Sequence, residues 1–399
     1  MPAHPGPSAT TTPESTLYRL MNGYLITQLL HVVAKLGVAD VLADGPLPSE
    51  AIARAVGADP LVLHRMLRGL AAEGVFAENG DGRFGLTEIG ACLRDGAPNS
   101  LRGAVVVRGD LHYKAASGLL DAARGGGIPF DRVYGEGLFA HLEHIPELAA
   151  AFHQSMTDRS RLEAAAVVGS YGFGAFRRLV DVGGGTGVLL EAILLATPGP
   201  RGVLLDRPRP VEQARKRLAD AGLAARADCV VGDFFDAVPS GGDAYLLSRI
   251  VHDWDDAAAQ RILARCRAAM GDGATLLLVE AVLPEFAVDS PAAIAMDLGM
   301  LTLLPGRERT VEEYRSLLAT AGFRLARVIP TGSPSGIAVV EARPSTSSGR
   351  YNGAGRSCAV CAGNPRRLRR ARASIASWRL PVSSTTASTR RRRTPARSR

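Results

Sequence analysis

The residues with the most chemical content lie in the second half of the chain. A glycine-rich turn, Leu179-Val-Asp181-Val-Gly183-Gly-Gly185-Thr-Gly187, follows one short apolar run and precedes a helical one. Glycines let a chain turn tightly and let a ligand approach its backbone. Asp206 ends the next apolar run, where a carboxylate can accept both hydroxyls of a ribose. Asp233 and Phe234 follow the third run, an acid for an exocyclic amine beside a ring that can pack on a base. Three readings compete for this constellation. A purely structural turn explains the glycines but not the ordered acids. A dinucleotide site prefers G-x-G-x-x-G and a helix N-terminus facing pyrophosphate. Here the spacing is G-x-G-x-G, and Asp181 would repel a pyrophosphate but attract an ammonium group. S-adenosylmethionine carries an amino group, a ribose and a sulfonium, and no phosphate. It fits the acidic loop best.

A second group of residues could move a proton. His252, in Ser248-Arg249-Ile-Val-His252-Asp253-Trp254, comes just past the fourth apolar run, on the edge where the cofactor would sit. A phenol has a pKa of about 10 and an imidazole about 6.5, so a histidine is a reasonable acceptor for a phenolic proton. A carboxylate on the far ring nitrogen would fix the tautomer and stabilise the imidazolium. Glu280, at the end of the fifth run, and Glu308, in Pro305-Gly-Arg-Glu308-Arg-Thr, are the candidates. Taken singly, a histidine is more often structural, and either acid is as well explained as a surface or helix-start charge. The body offers no metal constellation. Cys358-Ala-Val-Cys361 is half a zinc site, with no second pair following.

These residues need a sheet to hold them. Leu179–Val182, Val203–Leu205, Cys229–Val231, Ala244–Leu247 and Thr275–Val279 are predicted as strands. Helical patterns at Val188–Ala196, Val211–Ala221 and Ala257–Met270 separate them, which predicts a doubly wound, mostly parallel sheet. A last helix at Val311–Gly322 and an antiparallel pair, Arg324–Ile329 with Ile337–Glu341, would close one edge. Before them, 14–99 reads as helices followed by a hairpin around Glu78-Asn-Gly-Asp-Gly82, a winged-helix arrangement with Ser49 as a helix cap. Residues 100–171 read as a helical connector, with a loop at Gly125–Phe130, and 172–344 as the cofactor-binding part. Residues 1–13 and 345–399 read as disordered ends.

Composition bounds the function classes. With 399 residues and 46% hydrophobic content the chain is globular and long enough for about two domains. Neither a membrane-spanning run nor a signal sequence is apparent, and five scattered cysteines suit a reducing cytoplasm. The formal charge of +8 misleads: without the fourteen arginines after Pro344 it becomes −6. The first hundred residues hold seven Lys/Arg and ten Asp/Glu, or −3, which argues against a phosphate-binding face there.

The order Leu-Val-Asp-Val-Gly-Gly-Gly-Thr-Gly, Leu-Leu-Asp-Arg-Pro, Gly-Asp-Phe-Phe, His-Asp-Trp-Asp-Asp and Gly-Arg-Glu-Arg-Thr resembles the homodimeric S-adenosylmethionine-dependent O-methyltransferases. These are the plant caffeate-type and bacterial natural-product enzymes. The resemblance spans about Thr16 to Arg343 and leaves the tail outside. It implies an α/β fold, a Rossmann-like doubly wound methyltransferase sheet preceded by an α-helical winged-helix dimerisation domain. It implies His252 as general base flanked by Glu280 and Glu308. Asp181, Gly183, Gly185, Asp206, Asp233 and Phe234 would hold the cofactor. Ser248 stands where plant members have a lysine, so Ser248 or Arg249 would supply that contact. The acceptor would be confined by Tyr113, Phe130, Phe152, Met156, Asp253 and Met300, with Phe139 nearby.

The implied partners are an aromatic small molecule and a second copy of the chain, with no specific nucleic acid and no membrane. The implied setting is natural-product biosynthesis in the cytoplasm. Two alternatives stay open at this point. One is a cofactor-binding hydroxylase or decarboxylase of the same fold; the other is a winged-helix transcription regulator.

Overall fold

A computed structural model describes residues 12–333 and 335–345. Apart from their innermost residues, the ends expected to be disordered lie outside that range, as do Cys358 and Cys361. Pro13, assigned to the disordered start, instead opens a helix, Pro13–Met21, capped by Thr12. The described residues pack as one compact unit.

The N-terminal part follows its local signals with two corrections. Asp59 caps the Pro60–Ala72 helix by accepting from the Val62 amide at 2.8 Å, as an Asp-Pro start favours. Ser49 does not cap the Ser49–Val56 helix; its hydroxyl meets His64 Nδ1 at 3.1 Å instead. The hairpin of β2 (Phe76–Glu78) and β3 (Arg83–Leu86) gains a third strand, β1 (Leu47–Pro48), which pairs with β3. Two residues carry too little periodicity to announce a strand. Val33, Ile52, Leu67, Phe76 and Phe84 close a separate apolar core beneath this sheet.

The large sheet is built from β4 (Arg178–Val182), β5 (Arg201–Asp206), β6 (Ala227–Val231), β7 (Ala244–Ser248), β8 (Thr275–Leu283), β10 (Phe323–Pro330) and β11 (Ile337–Pro344). A short β9 (Arg309–Thr310) pairs with the far end of β8. The order is β10-β11-β8-β7-β4-β5-β6, with β4 to β8 parallel and β10 and β11 antiparallel. The order reverses at β4, between β5 on one side and β7 on the other. Such a switch point opens a crevice at the carboxyl ends of the strands. Two apolar cores, one on each face, bury the sheet.

The connector contributes one long helix, Pro146–Ser170. The expected loop at Gly125–Phe130 is cut short, because Pro129 starts a helix, Pro129–Tyr134, that carries Phe130 inward. No helix of the described residues is long and apolar enough to cross a membrane. Leu278, on β8, is fully buried between β7 and β11 and lies two residues from Glu280. Leu278→Ala is expected to lower unfolding stability by about 2–5 kcal/mol, measured by denaturant titration.

Candidate active site

Each candidate residue is presented by a strand end of the large sheet or by a neighbouring helix. The turn after β4 holds Gly183 at φ +72°, in the left-handed region, with the side chains of Ile250 and Phe234 packed against it. A Cβ there would lie 2.5 Å from Ile250 Cδ1. Gly183 and Gly185 line a cavity of about 170 Å³, together with Asp181, Met156 and Ser248. Both carboxylate oxygens of Asp181 are buried without a hydrogen-bond partner among the described residues. Burial, and then the charge of Asp206, push its pKa up to about 7. A glycine cradle beside an unpartnered acid fits the amino group and open backbone approach of S-adenosylmethionine.

Asp206 and Asp233 stand along the same edge but not on that cavity. Asp206 accepts from the Gly185 amide at 2.8 Å and the Arg207 amide at 2.6 Å, which leaves lone pairs for a ribose. Asp233 accepts from the Phe235 amide at 2.8 Å and pairs with Arg207 at 3.3 Å. Arg249 departs from the expectation of a cofactor contact. Its guanidinium is held by Glu163 at 2.7 and 2.5 Å and touches Met296 Sδ at 3.3 Å. Its backbone sits at φ 54°, strained for a side-chain-bearing residue. Of the two candidates only Ser248 lines the glycine cavity.

A second cavity, about 290 Å³, adjoins the first through His153, Met156, Ser160, Gly183 and Ser248. His252, Asp253, Phe139, Phe152 and Met300 are on its wall. Two expected lining residues are not. Phe130 is fully buried, stacked on Tyr134 in a core beneath the connector. Tyr113 faces a different cavity, beside Tyr24 and His112. Helical spacing does not say which way a connector helix turns, so both aromatics were indistinguishable from pocket residues in sequence.

His252 is 4% exposed, and its Nδ1 lies 2.7 Å from Glu308 Oε1. Glu280 is farther, at 3.7 Å, and spends one oxygen on the Ile250 and Val251 amides at 3.1 and 2.8 Å. It thus holds the loop that carries the histidine. Glu280 is not at a strand end as expected: β8 continues to Leu283 because β11 and β9 keep it paired. Asp253 Oδ1 is 3.3 Å from Nε2. Burial opposes a charge on His252, but Glu280, Asp253 and Glu308 outweigh it and raise its pKa to about 9. Burial likewise pushes Glu280 up to about 7 against the pull of His252. Ring nitrogen and carboxylate oxygens of His252, Glu280 and Glu308 lie within 4.8 Å of one another, a spacing a cation could also use. The Nδ1–Oε1 separation is that of a charge-assisted hydrogen bond.

Two residues that residue order did not single out hold the loop after β7 in place. Arg309, fully buried, donates to the carbonyls of Val251 and Trp254 at 3.0 Å and pairs with Asp256 at 2.8 Å. It clamps the chain on both sides of His252. Gly306 packs on the same loop: a Cβ there would meet the His252 carbonyl oxygen at 1.8 Å. Both sit in the Gly-Arg-Glu-Arg-Thr segment, whose only legible signal was Glu308.

Gly183→Ala is expected to raise the Kd for S-adenosylhomocysteine at least about tenfold, measured by calorimetry, because the added methyl meets Ile250 and a left-handed backbone disfavours it.

Known proteins match this organisation. The profile of the O-methyltransferase domain matches residues 116–324, and that of the O-methyltransferase dimerisation domain matches residues 18–95. Phenazine O-methyltransferase PhzM of Lysobacter antibioticus is 43% identical over 330 residues, 83% of this chain and 96% of that protein. O-methyltransferase SfmM3 of Streptomyces lavendulae is 41% identical, over 81% of this chain and 98% of that protein. The crystal structure of NcsB1, an O-methyltransferase from neocarzinostatin biosynthesis in complex with S-adenosylmethionine and 2-hydroxy-5-methyl naphthoic acid, superposes with a TM-score of 0.69. It is 38% identical and covers 80% of this chain and 96% of that one. The conjunction of matched domains, a glycine cradle at the switch point and a histidine–carboxylate cluster beside it leads to one conclusion: the chain is an enzyme of the S-adenosylmethionine-dependent O-methyltransferase family.

Proposed function

We propose that the enzyme methylates a hydroxyl of an aromatic natural-product intermediate, with His252 as the general base. The observation that carries this reading is the 2.7 Å contact between His252 Nδ1 and Glu308, with the ring on the wall of the second cavity. When Nδ1–H donates to Glu308, Nε2 is the nitrogen left to take the acceptor's proton. Glu308 then stabilises the imidazolium, and Glu280 keeps the loop in register. Asp181, Gly183, Gly185, Asp206, Asp233, Phe234 and Ser248 would hold the cofactor, which when bound supplies a methyl group on a good leaving group. Met156 and Met300 would confine the acceptor, as adaptable apolar walls. Asp253, beside Nε2, would meet the acceptor hydroxyl.

Apolar residues exposed on the first two helices, Leu17, Tyr18, Leu20, Met21, Tyr24 and Leu25, support a homodimer through residues 14–99. The acidic balance of that part supports no specific nucleic-acid partner, and the matched family supports a cytoplasmic, membrane-free setting.

Incubation with labelled S-adenosylmethionine and a panel of naphthols and phenols tests the reaction, the expected product gaining a methylene's mass. Product gaining an oxygen instead would point to the hydroxylating alternative. His252→Ala is expected to lower kcat by about 10²–10⁴-fold. A variant that keeps near-wild-type turnover at neutral pH would remove the base role. The neutral imidazole is the active form, so the rate should rise with pH through the raised pKa of His252. Glu308→Gln removes one of the charges that raise it, so the rising limb should move to lower pH while the maximal rate falls. A limb that stays in place would detach Glu308 from His252.

A further inference from the structure

The second cavity contains two arginines that the methyl-transfer reading does not use. Arg159, on the Pro146–Ser170 helix, is half-buried, and its closest side-chain partner is Met296 Sδ at 3.7 Å, a weak acceptor. Arg108 has no side-chain hydrogen-bond or carboxylate partner among the described residues. Arg108 is exposed and borders three cavities, the second cavity among them. Other inward-facing arginines behave differently. Arg249 is clasped by Glu163, Arg309 by Asp256 and Arg102 by Asp40.

The acids nearest in sequence are already engaged. Asp110 pairs with Lys35 at 3.0 Å and His31 at 3.3 Å. Asp158 accepts from Gln154 at 2.7 Å. Arg108 and His112 begin and end a π-helical turn, Arg108–His112, and both reach the cavity wall. Such turns are frequent at functional sites. His112 adds no charge: burial, then Arg108 and Arg159, lower its pKa to about 4. Burial, then Arg249 and Arg108, lower Arg159 to about 10 against the pull of Glu163 and Glu308, which still leaves it charged at neutral pH. Two guanidinium groups that face one cavity without a hydrogen-bonded carboxylate repel each other, and an anion received between them would relieve that repulsion.

Resting on the reading above, we infer that the acceptor is a hydroxyarene bearing a carboxylate, which Arg108 and Arg159 receive while its hydroxyl faces His252. The arginines then act as specificity determinants: by fixing the anionic end they choose which hydroxyl reaches the base. One other anion is at hand, the carboxylate of the cofactor. Arg108 does not line the glycine cavity, whereas Ser160 and Met156, beside Arg159, do. The experiment must separate the two sources.

Calorimetry on the full chain saturated with S-adenosylhomocysteine compares a hydroxynaphthoate with the matching hydroxynaphthamide. The naphthoate is expected to bind at least about thirtyfold tighter to the wild type. Arg108→Met and Arg159→Met should each shrink that ratio by about tenfold, and Arg108→Lys and Arg159→Lys should keep most of it. Arg161→Met, on the same helix but exposed, should keep it whole. Equal affinity of the two probes for the wild type, or a ratio unmoved by both Met variants, overturns the inference. So does an Arg159→Met variant that weakens S-adenosylhomocysteine binding while the ratio stands, since the cofactor's carboxylate is then the anion. Methyl transfer to the hydroxynaphthoate is read separately from its binding, so a naphthoate that binds with the expected preference but is not methylated counts against the proposed reaction and not against this preference.

Discussion

The hydrogen bond between His252 Nδ1 and Glu308 is the interaction on which the site depends. A histidine buried beside three carboxylates would be pulled into the charged form and held there, with a pKa raised to about 9. Such a ring is useful as a base only if its geometry survives the loss of its Nε2 proton. The chain meets this requirement outside the ring itself. Arg309 ties the carbonyls on both sides of His252 to the segment that carries Glu308, and Gly306 lets that segment lie directly on the loop. Glu280 fixes the same loop from the sheet side through the Ile250 and Val251 amides. The imidazole is therefore positioned by backbone contacts that do not change with its protonation. A cationic cofactor entering next door would disfavour the imidazolium and move the ring toward its neutral form.

The sheet explains why these parts meet. Reversal of strand order at β4 opens a crevice between the turn after β4 and the loop after β7. The first provides the glycine cradle and the second the histidine. The adjoining cavities share Met156, Gly183 and Ser248, so donor and acceptor would occupy two ends of one continuous space. The connector closes that space from above the sheet edge, through Phe152, Met156 and Arg159 on one helix.

Charge is distributed unevenly around this space. The acids collect where the base and the cofactor's cationic groups belong, at Asp181, Asp253, Glu280 and Glu308. The unpartnered arginines collect on the connector side. A molecule spanning the cavity with a hydroxyl at one end and an anion at the other matches both ends at once. A neutral ring would leave the connector side uncompensated.

Much of this was legible from residue order. The glycine turn, Asp206, Asp233 and His252 each follow an apolar run that became a parallel strand, because strand–helix alternation and short-range turn chemistry are local properties. Val188–Ala196 coincides with its predicted bounds for that reason. What sequence could not decide was direction and pairing across the fold. Phe130 and Phe152 are both connector aromatics, yet packing buries one and sets the other on the cavity. Arg249 and Arg159 are both cations near the site, yet only the first found a carboxylate, Glu163, 86 residues away in the chain. Arg309 looked like one half of an ordinary charged turn until the fold placed its guanidinium against two carbonyls of another loop. Sequence determined which chemical groups the strand ends would carry. Tertiary packing decided which of them lost water, gained partners and so acquired a shifted pKa, because desolvation and hydrogen bonding act only between groups the fold has brought together.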